Sequence, residues 1–263
     1  MSTFMHALFT SLDVRWREVD LLLDKAAAEE LCPDLEFHHV LCRAAVVLIA
    51  AHLEGFVRDC AKAAVEDVNR FSSFKRCSDD IKRTFCGAFV GSDNSKESNQ
   101  RVKKLMQMLD ELNTKLTHDP FLFDGKNDDH KNPSPGVIER VCRNFGVKEV
   151  FALLVGSRLE VVFSGLPRDA QDLSRDLFTH LNAGLATFPY VLDPSLFGLD
   201  TRVRSATRSL WETFLDDLMK QRHKIAHGSS QNNGYSVAEI RVIKANVVVL
   251  QYGVMLVLCK ELQ

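Results

Sequence analysis

Along most of this chain apolar residues return every three or four positions, the spacing of helices with one buried face. Phe4, Leu8, Leu12, Val19, Leu22, Leu23 and Ala26 predict a first amphipathic helix closed by Pro33. From about Leu35 to Phe71 the apolar face broadens through Val40, Val47, Leu48, Phe56, Cys60 and Val68, predicting a long and deeply buried helix. Ser78, with Asp79 and Asp80 behind it, reads as the N-cap of a shorter helix through Phe89. Gly91 to Asn99 reads as a polar connection. Val102, Leu105, Leu109, Leu112 and Leu116 mark a further helix, and His118 to Gly136, rich in Asp, Asn, Lys and Pro, an exposed loop.

Ser134-Pro135 opens another helix, ending at Asn144-Phe145-Gly146, where glycine can take the left-handed C-cap conformation. A helix is expected from Lys148 to Phe163, although its valines also permit a strand. Asp169 to Leu181 should be helical and Pro189 to Asp200 a loop. Val203, Ala206, Leu210, Phe214, Leu218 and Ile225 predict one helix running to about His227. Gly228 to Tyr235 is turn-forming, and Ser236-Val237-Ala238-Glu239 has the capping-box pattern that opens a terminal helix reaching about Leu262.

Composition agrees. With 13 Gly and 7 Pro in 263 residues the chain is poor in turn formers, and 46% apolar residues suffice for one sizeable core. The expectation is an all-α, up-and-down helical bundle forming a single domain over 1–263, with a helical insertion over 91–200. Two apolar stretches, Ala44 to Ala51 and Val247 to Cys259, fall short of the roughly 18 residues a membrane span needs. They read as central bundle helices, and no membrane association is expected. The seven cysteines show no CxxC spacing and mostly sit in apolar helical patterns, which suggests reduced, buried thiols. The first residues carry no basic region followed by a continuous apolar stretch, so a cytoplasmic location is expected.

A formal net charge of −2 removes the simplest electrostatic case for nucleic acid. Between 201 and 227, however, Arg202, Arg204, Arg208, Lys220, Arg222 and Lys224 outnumber Glu212, Asp216 and Asp217. That local excess would steer RNA, or would be an ordinary solvated helix face. No P-loop, Rossmann glycine fingerprint or nucleophile elbow is present.

The segment Gln221-Arg222-His223-Lys224-Ile225-Ala226-His227-Gly228 combines an arginine with a histidine five positions on, just before the last helix. It resembles the R-x4-6-H signature of the HEPN superfamily, including a polar residue directly after the arginine and the Ile-Ala-His-Gly ending. Upstream, Val46 to Asp59 (Val-Val-Leu-Ile-Ala-Ala-His-Leu-Glu-Gly-Phe-Val-Arg-Asp) resembles the early core helix of HEPN subgroups related to the RiboL-PSP and MAE_28990-type proteins.

The resemblance implies an endoribonuclease that cuts single-stranded RNA through its own 2′-hydroxyl, leaving a 2′,3′-cyclic phosphate and a 5′-hydroxyl, with no metal or cofactor. The residue types suit that chemistry, because an imidazole can take or deliver the proton and a guanidinium can meet the charged phosphorane. The implied catalytic residues are His227 and Arg222. His223 would orient the phosphate or share the proton transfer, and Lys224 would hold flanking backbone. A homodimer would bring two motifs to one phosphodiester. Glu54, inside an apolar run, would be a supporting carboxylate, with Arg222 a candidate partner.

His223 and His227 stand four apart, as in a helical zinc pair, but Lys224 occupies the place of the glutamate in HExxH, so no metal is expected. His38-His39 reads as a surface turn and His52 as a core position. Family context suggests a toxin or antiviral effector restrained by an antitoxin or other regulatory protein. Two plainer readings stand beside this one. Arg222 and His227 could cap a helix end or pair with Asp216 or Asp217, or the same surface could belong to a non-catalytic helical dimer serving as a protein-interaction module.

Overall fold

The computed structural model describes residues 2–29, 35–90, 95–122, 132–203, 207–228 and 235–263. Every regular element among the described residues is helical: α1 (Phe4–Glu29), α2 (Leu35–Phe71), α3 (Asp79–Val90), α4 (Lys96–Leu112), α5 (Pro135–Asn144), α6 (Val150–Leu154), α7 (Pro167–Gly184), α8 (Leu210–Ala226) and α9 (Val237–Lys260). Short 3-10 turns at Phe74–Arg76, Asp119–Phe121, Arg158–Phe163 and Pro194–Phe197 join them. The expected Pro33 closure and Ser229–Gly234 of the expected turn lie outside the described residues.

Cross-helix pairs set the topology. Arg15 meets Asp59 at 2.7 Å, Glu18 approaches His52, and the Ala26 carbonyl lies 2.9 Å from His38 Nδ1, so α1 and α2 run antiparallel. Trp16 Nε1 donates to Gln251 Oε1 at 3.1 Å, Lys244 meets Asp20 at 2.5 Å and Arg241 meets Asp24 at 2.8 Å, which turns α9 antiparallel to α1. Helix α8 packs on α2 and buries Trp211, Leu215 and Leu218. The 3-10 turn Arg158–Phe163 wedges between α8 and α9. Its Phe163 ring sits 4.7 Å from Trp211, and its Leu159 lies where a Cβ on Gly253 would come within 2.5 Å. Glycine at 253 therefore permits the close approach that an alanine would block.

The result is an up-and-down bundle with two ends. Helices α1 and α8 finish, and α2 and α9 begin, at the end carrying the Arg222–His227 segment. At the other end Asp67, fully buried in α2, accepts hydrogen bonds from the Phe4 and Met5 amides at 2.7 and 2.9 Å and from Tyr190 Oη at 2.6 Å. Those two amides lack intrahelical acceptors, so a carboxylate from another helix caps α1. Burial pushes the Asp67 carboxyl upward, while these donors pull it back down.

The middle of the chain packs against the bundle helices. Lys82 of α3 meets Asp110 of α4 at 2.9 Å, and the two helices form an antiparallel hairpin. Helix α5 joins the hairpin to α2 and α8, and α7 packs against α9 and α1.

Local sequence signals mostly match their elements. Ser236 and Glu239 close a capping box on α9, Gly146 ends α5 with φ of +99°, and the Ile81 amide lies 3.4 Å from Ser78 Oγ. Several expectations change, among them that α4 begins at Lys96, inside the expected polar connection, and stops at Leu112 short of Leu116. The helix expected over 148–163 breaks at Gly156, where φ is +71°, into α6 and a 3-10 turn. The helix expected from Val203 begins only at Leu210, because Ser209 and Glu212 form a full capping box there. Val203 instead donates its amide to the Ala152 carbonyl at 2.8 Å, and Ala206 lies outside the described residues. Within the loop expected over 118–136, Phe121 is fully buried and stacks on Phe145 at 4.9 Å, while 123–131 lie outside the described residues. His38 is buried inside α2 rather than on a surface turn, and His52 is part-buried against Trp16.

Helices α2 and α9 are each long and apolar enough to cross a membrane by length and composition. Within the fold they pack on one another. Six cysteines, Cys42, Cys60, Cys77, Cys86, Cys142 and Cys259, form no disulfide among the described residues, and Cys32 lies outside them.

Candidate active site at the end of α8

The capping box at Ser209 fixes where α8 starts, and its buried stripe of Trp211, Leu215 and Leu218 fixes which side faces α2. Continuing the helical period past Leu218 puts the last turn partly clear of the core. Arg222 is half-buried, whereas His223, Lys224 and His227 are exposed. His227 is the C-cap, its amide donating to the His223 carbonyl at 3.0 Å, and Gly228 follows in the left-handed conformation. The backbone thus turns away at the residue that ends the motif, leaving the imidazole on the surface.

His223 and His227, one helical turn apart, stack obliquely with ring centroids 4.1 Å apart and an interplanar angle of 50°. Arg222 shares that turn. No carboxylate among the described residues forms an ion pair with Arg222, His223, Lys224 or His227, since Asp216 is taken by Arg208 and Asp217 by Lys220 at 3.1 Å. Of the plainer readings, the pairing of Arg222 or His227 with Asp216 or Asp217 is absent among the described residues, whereas His227 does stand at the C-cap of α8, as the helix-capping reading has it.

Glu54 is not brought to this group as expected. It is part-exposed and pairs with Arg58 at 3.2 Å, four residues along the same helix, so its nearest cation comes from its own turn spacing. The expected cationic excess over 201–227 is also smaller in space than in sequence. Arg208 and Lys220 are neutralised, Arg204 lies outside the described residues, and the exposed cations left without a carboxylate are Arg202 and Lys224, beside half-buried Arg222.

A cleft of about 490 Å³ sits at the opposite end of α8, walled by Pro135, Glu139, Glu149, Ser209 and Glu212. Its carboxylates Glu139, Glu149 and Glu212 outnumber the one cation in its lining, Arg208, which Asp216 holds, so an anionic substrate suits it poorly. Among the described residues no group of three or more His, Cys, Asp or Glu side chains is placed to hold a metal ion.

An all-helical bundle with Arg222 and His227 on the exposed end of the penultimate helix is what the R-x4-6-H resemblance implies, and the family comparison extends it over nearly the whole chain. The sequence model of the RiboL-PSP-HEPN family matches residues 11–252. The chain belongs to that family. The match spans α1 through most of α9, so it takes in both bundle ends and the middle helices. Membership in the RiboL-PSP-HEPN family points to nuclease or other RNA-related work. No curated protein and no solved structure matches the chain.

Sequence reasoning missed Asp67 and Tyr190. The available signal was an acid at a core-facing position of α2, between Val65 and Val68, since a carboxylate there must find donors.

Proposed function

We propose that this RiboL-PSP-HEPN chain is a metal-independent endoribonuclease acting on single-stranded RNA. The observation that carries the reading is the His223–His227 pair, solvent-facing, paired with no carboxylate among the described residues and one helical turn in extent, with Arg222 beside it. Cleavage by the 2′-hydroxyl needs a base at O2′ and an acid at the leaving O5′, and neutral and protonated imidazoles can fill both roles at one pH. His227 is the principal proton-transfer group. Arg222 donates to the equatorial phosphoryl oxygens as charge builds there, His223 orients the phosphate or shares the proton transfer, and Lys224 holds a flanking phosphate. The products are a 2′,3′-cyclic phosphate and a 5′-hydroxyl.

Two copies pairing through the motif end would bring two Arg222–His227 pairs to one phosphodiester. Exposed Leu21 of α1 and Val242 of α9, held at one level by the Asp20–Lys244 and Asp24–Arg241 pairs, supply an apolar surface near that end. In this reading the elements over 91–200 are a helical addition to the α1, α2, α8 and α9 bundle. An unrestrained RNase would damage its own cell, so an antitoxin or regulatory partner and a toxin or defence role belong to the same proposal. Free thiols fit the reducing cytoplasm.

The purified chain should cut single-stranded RNA in the presence of chelator, and end analysis should find cyclic phosphate and 5′-hydroxyl termini. His227→Ala should abolish cutting while circular dichroism and the solution mass stay unchanged. Undiminished cutting by that variant would overturn the mechanism.

A further inference from the structure

The motif end is poor in free cations, yet affinity for single-stranded nucleic acid comes largely from Lys and Arg contacts to successive phosphates. The missing charge lies elsewhere. Between Val68 and Leu116, Lys and Arg outnumber Asp and Glu ten to six, although the whole chain carries 33 against 35. Within that stretch Asp110 is consumed by buried Lys82. The first half of α4 concentrates the remainder: Lys96, Arg101, Lys103 and Lys104 are all exposed, no carboxylate among the described residues pairs with them, and Glu97 is the single acid among them.

The hairpin register adds an aromatic ring. Because Lys82, early in α3, meets Asp110, late in α4, the end of α3 lies beside the beginning of α4. That end carries Phe89, 63% exposed, with its ring edge against Phe85. An exposed ring next to a row of free cations is the combination that holds single strands, the ring stacking a base while the cations follow the backbone.

We propose that the first half of α4 and the end of α3 form a docking surface for single-stranded RNA, separate from the Arg222–His227 site. The inference rests on the ribonuclease reading for its choice of ligand. The buried face of α4, through Val102 and Met106, holds the helix on the body, so its cations are presented by a packed element.

The test is binding of a labelled 2′-O-methyl oligouridine of about 20 nucleotides, which spans several phosphates and lacks the nucleophile, so nothing is cut. The variant K96Q/R101Q/K103Q/K104Q should bind at least tenfold more weakly. Its plot of log affinity against log salt should be shallower by about 0.7 for each phosphate no longer neutralised. The milder K103Q/K104Q should show about half of that slope change, and Phe89→Ala should weaken binding about tenfold without changing the slope. Unchanged affinity and slope in the fourfold variant, with helicity intact, would overturn the surface. The two proposals fail separately: a wild-type chain that binds this RNA through α4 but never cuts sinks the nuclease alone. One that cuts, and whose fourfold variant binds normally, sinks the surface alone.

Discussion

The two ends of the bundle treat polar groups in opposite ways. Around Asp67 each donor finds its acceptor: two helix-start amides and a tyrosine hydroxyl converge on one carboxylate with no solvent exposure. At the end of α8 an arginine, a lysine and two histidines gather, and no carboxylate among the described residues pairs with them. A fully satisfied network fixes structure, while unanswered cations on a firm helix remain available to an anionic ligand. The proposed function assigns structure to the first end and chemistry to the second.

Substitutions should separate the two ends. The largest effect after loss of His227 is expected from Arg222→Ala, which should cost about 2–4 kcal/mol of transition-state stabilisation, read as kcat/KM on RNA, with an unchanged melting temperature. Asp67→Ala should do the reverse. It strands three buried donors, so stability should fall by about 3 kcal/mol in denaturant unfolding, while cleavage per folded molecule stays constant. If Asp67→Ala left stability intact and abolished cutting, the division between the ends would be wrong.

Ser209→Ala removes the cap that sets where α8 starts and should cost about 1 kcal/mol by the same unfolding measurement. The smallest effect is in pH. Burial lowers the pKa of both His52 and His180 below 6.5. The unfolded chain then binds protons that the folded chain refuses, so stability contributed by these two groups is present above pH 6.5 and is lost as the pH falls below it. His52→Gln should flatten the acid limb of the stability profile. An unaltered limb would remove His52 from the account.

Much of the fold was legible in the sequence because helices leave a local trace. The apolar spacing of α1 and α2, the Ser236–Glu239 box and the Gly146 stop are written within a turn or two of where they act. The misreadings arose where a local signal competed with another. The spacing through Val203 and Leu210 suggested one helix, but the Ser209–Glu212 box was the stronger punctuation. Valines over 150–162 hid the break at Gly156. At the candidate site, Arg222 and His227 could be expected to share one surface because both lie within two helical turns. Glu54 could not be placed, because its partner depended on which way the side chain left α2.

By itself the sequence determined the helices, their caps, and the single turn carrying Arg222, His223 and His227, since each depends on residues only a few positions apart. Tertiary structure alone decided that Asp67 caps α1, that Trp16 meets Gln251, and that Lys82 is spent on Asp110. Those outcomes hinge on which side chains from distant helices meet, and pairing across tens or hundreds of residues leaves no periodic mark along the chain.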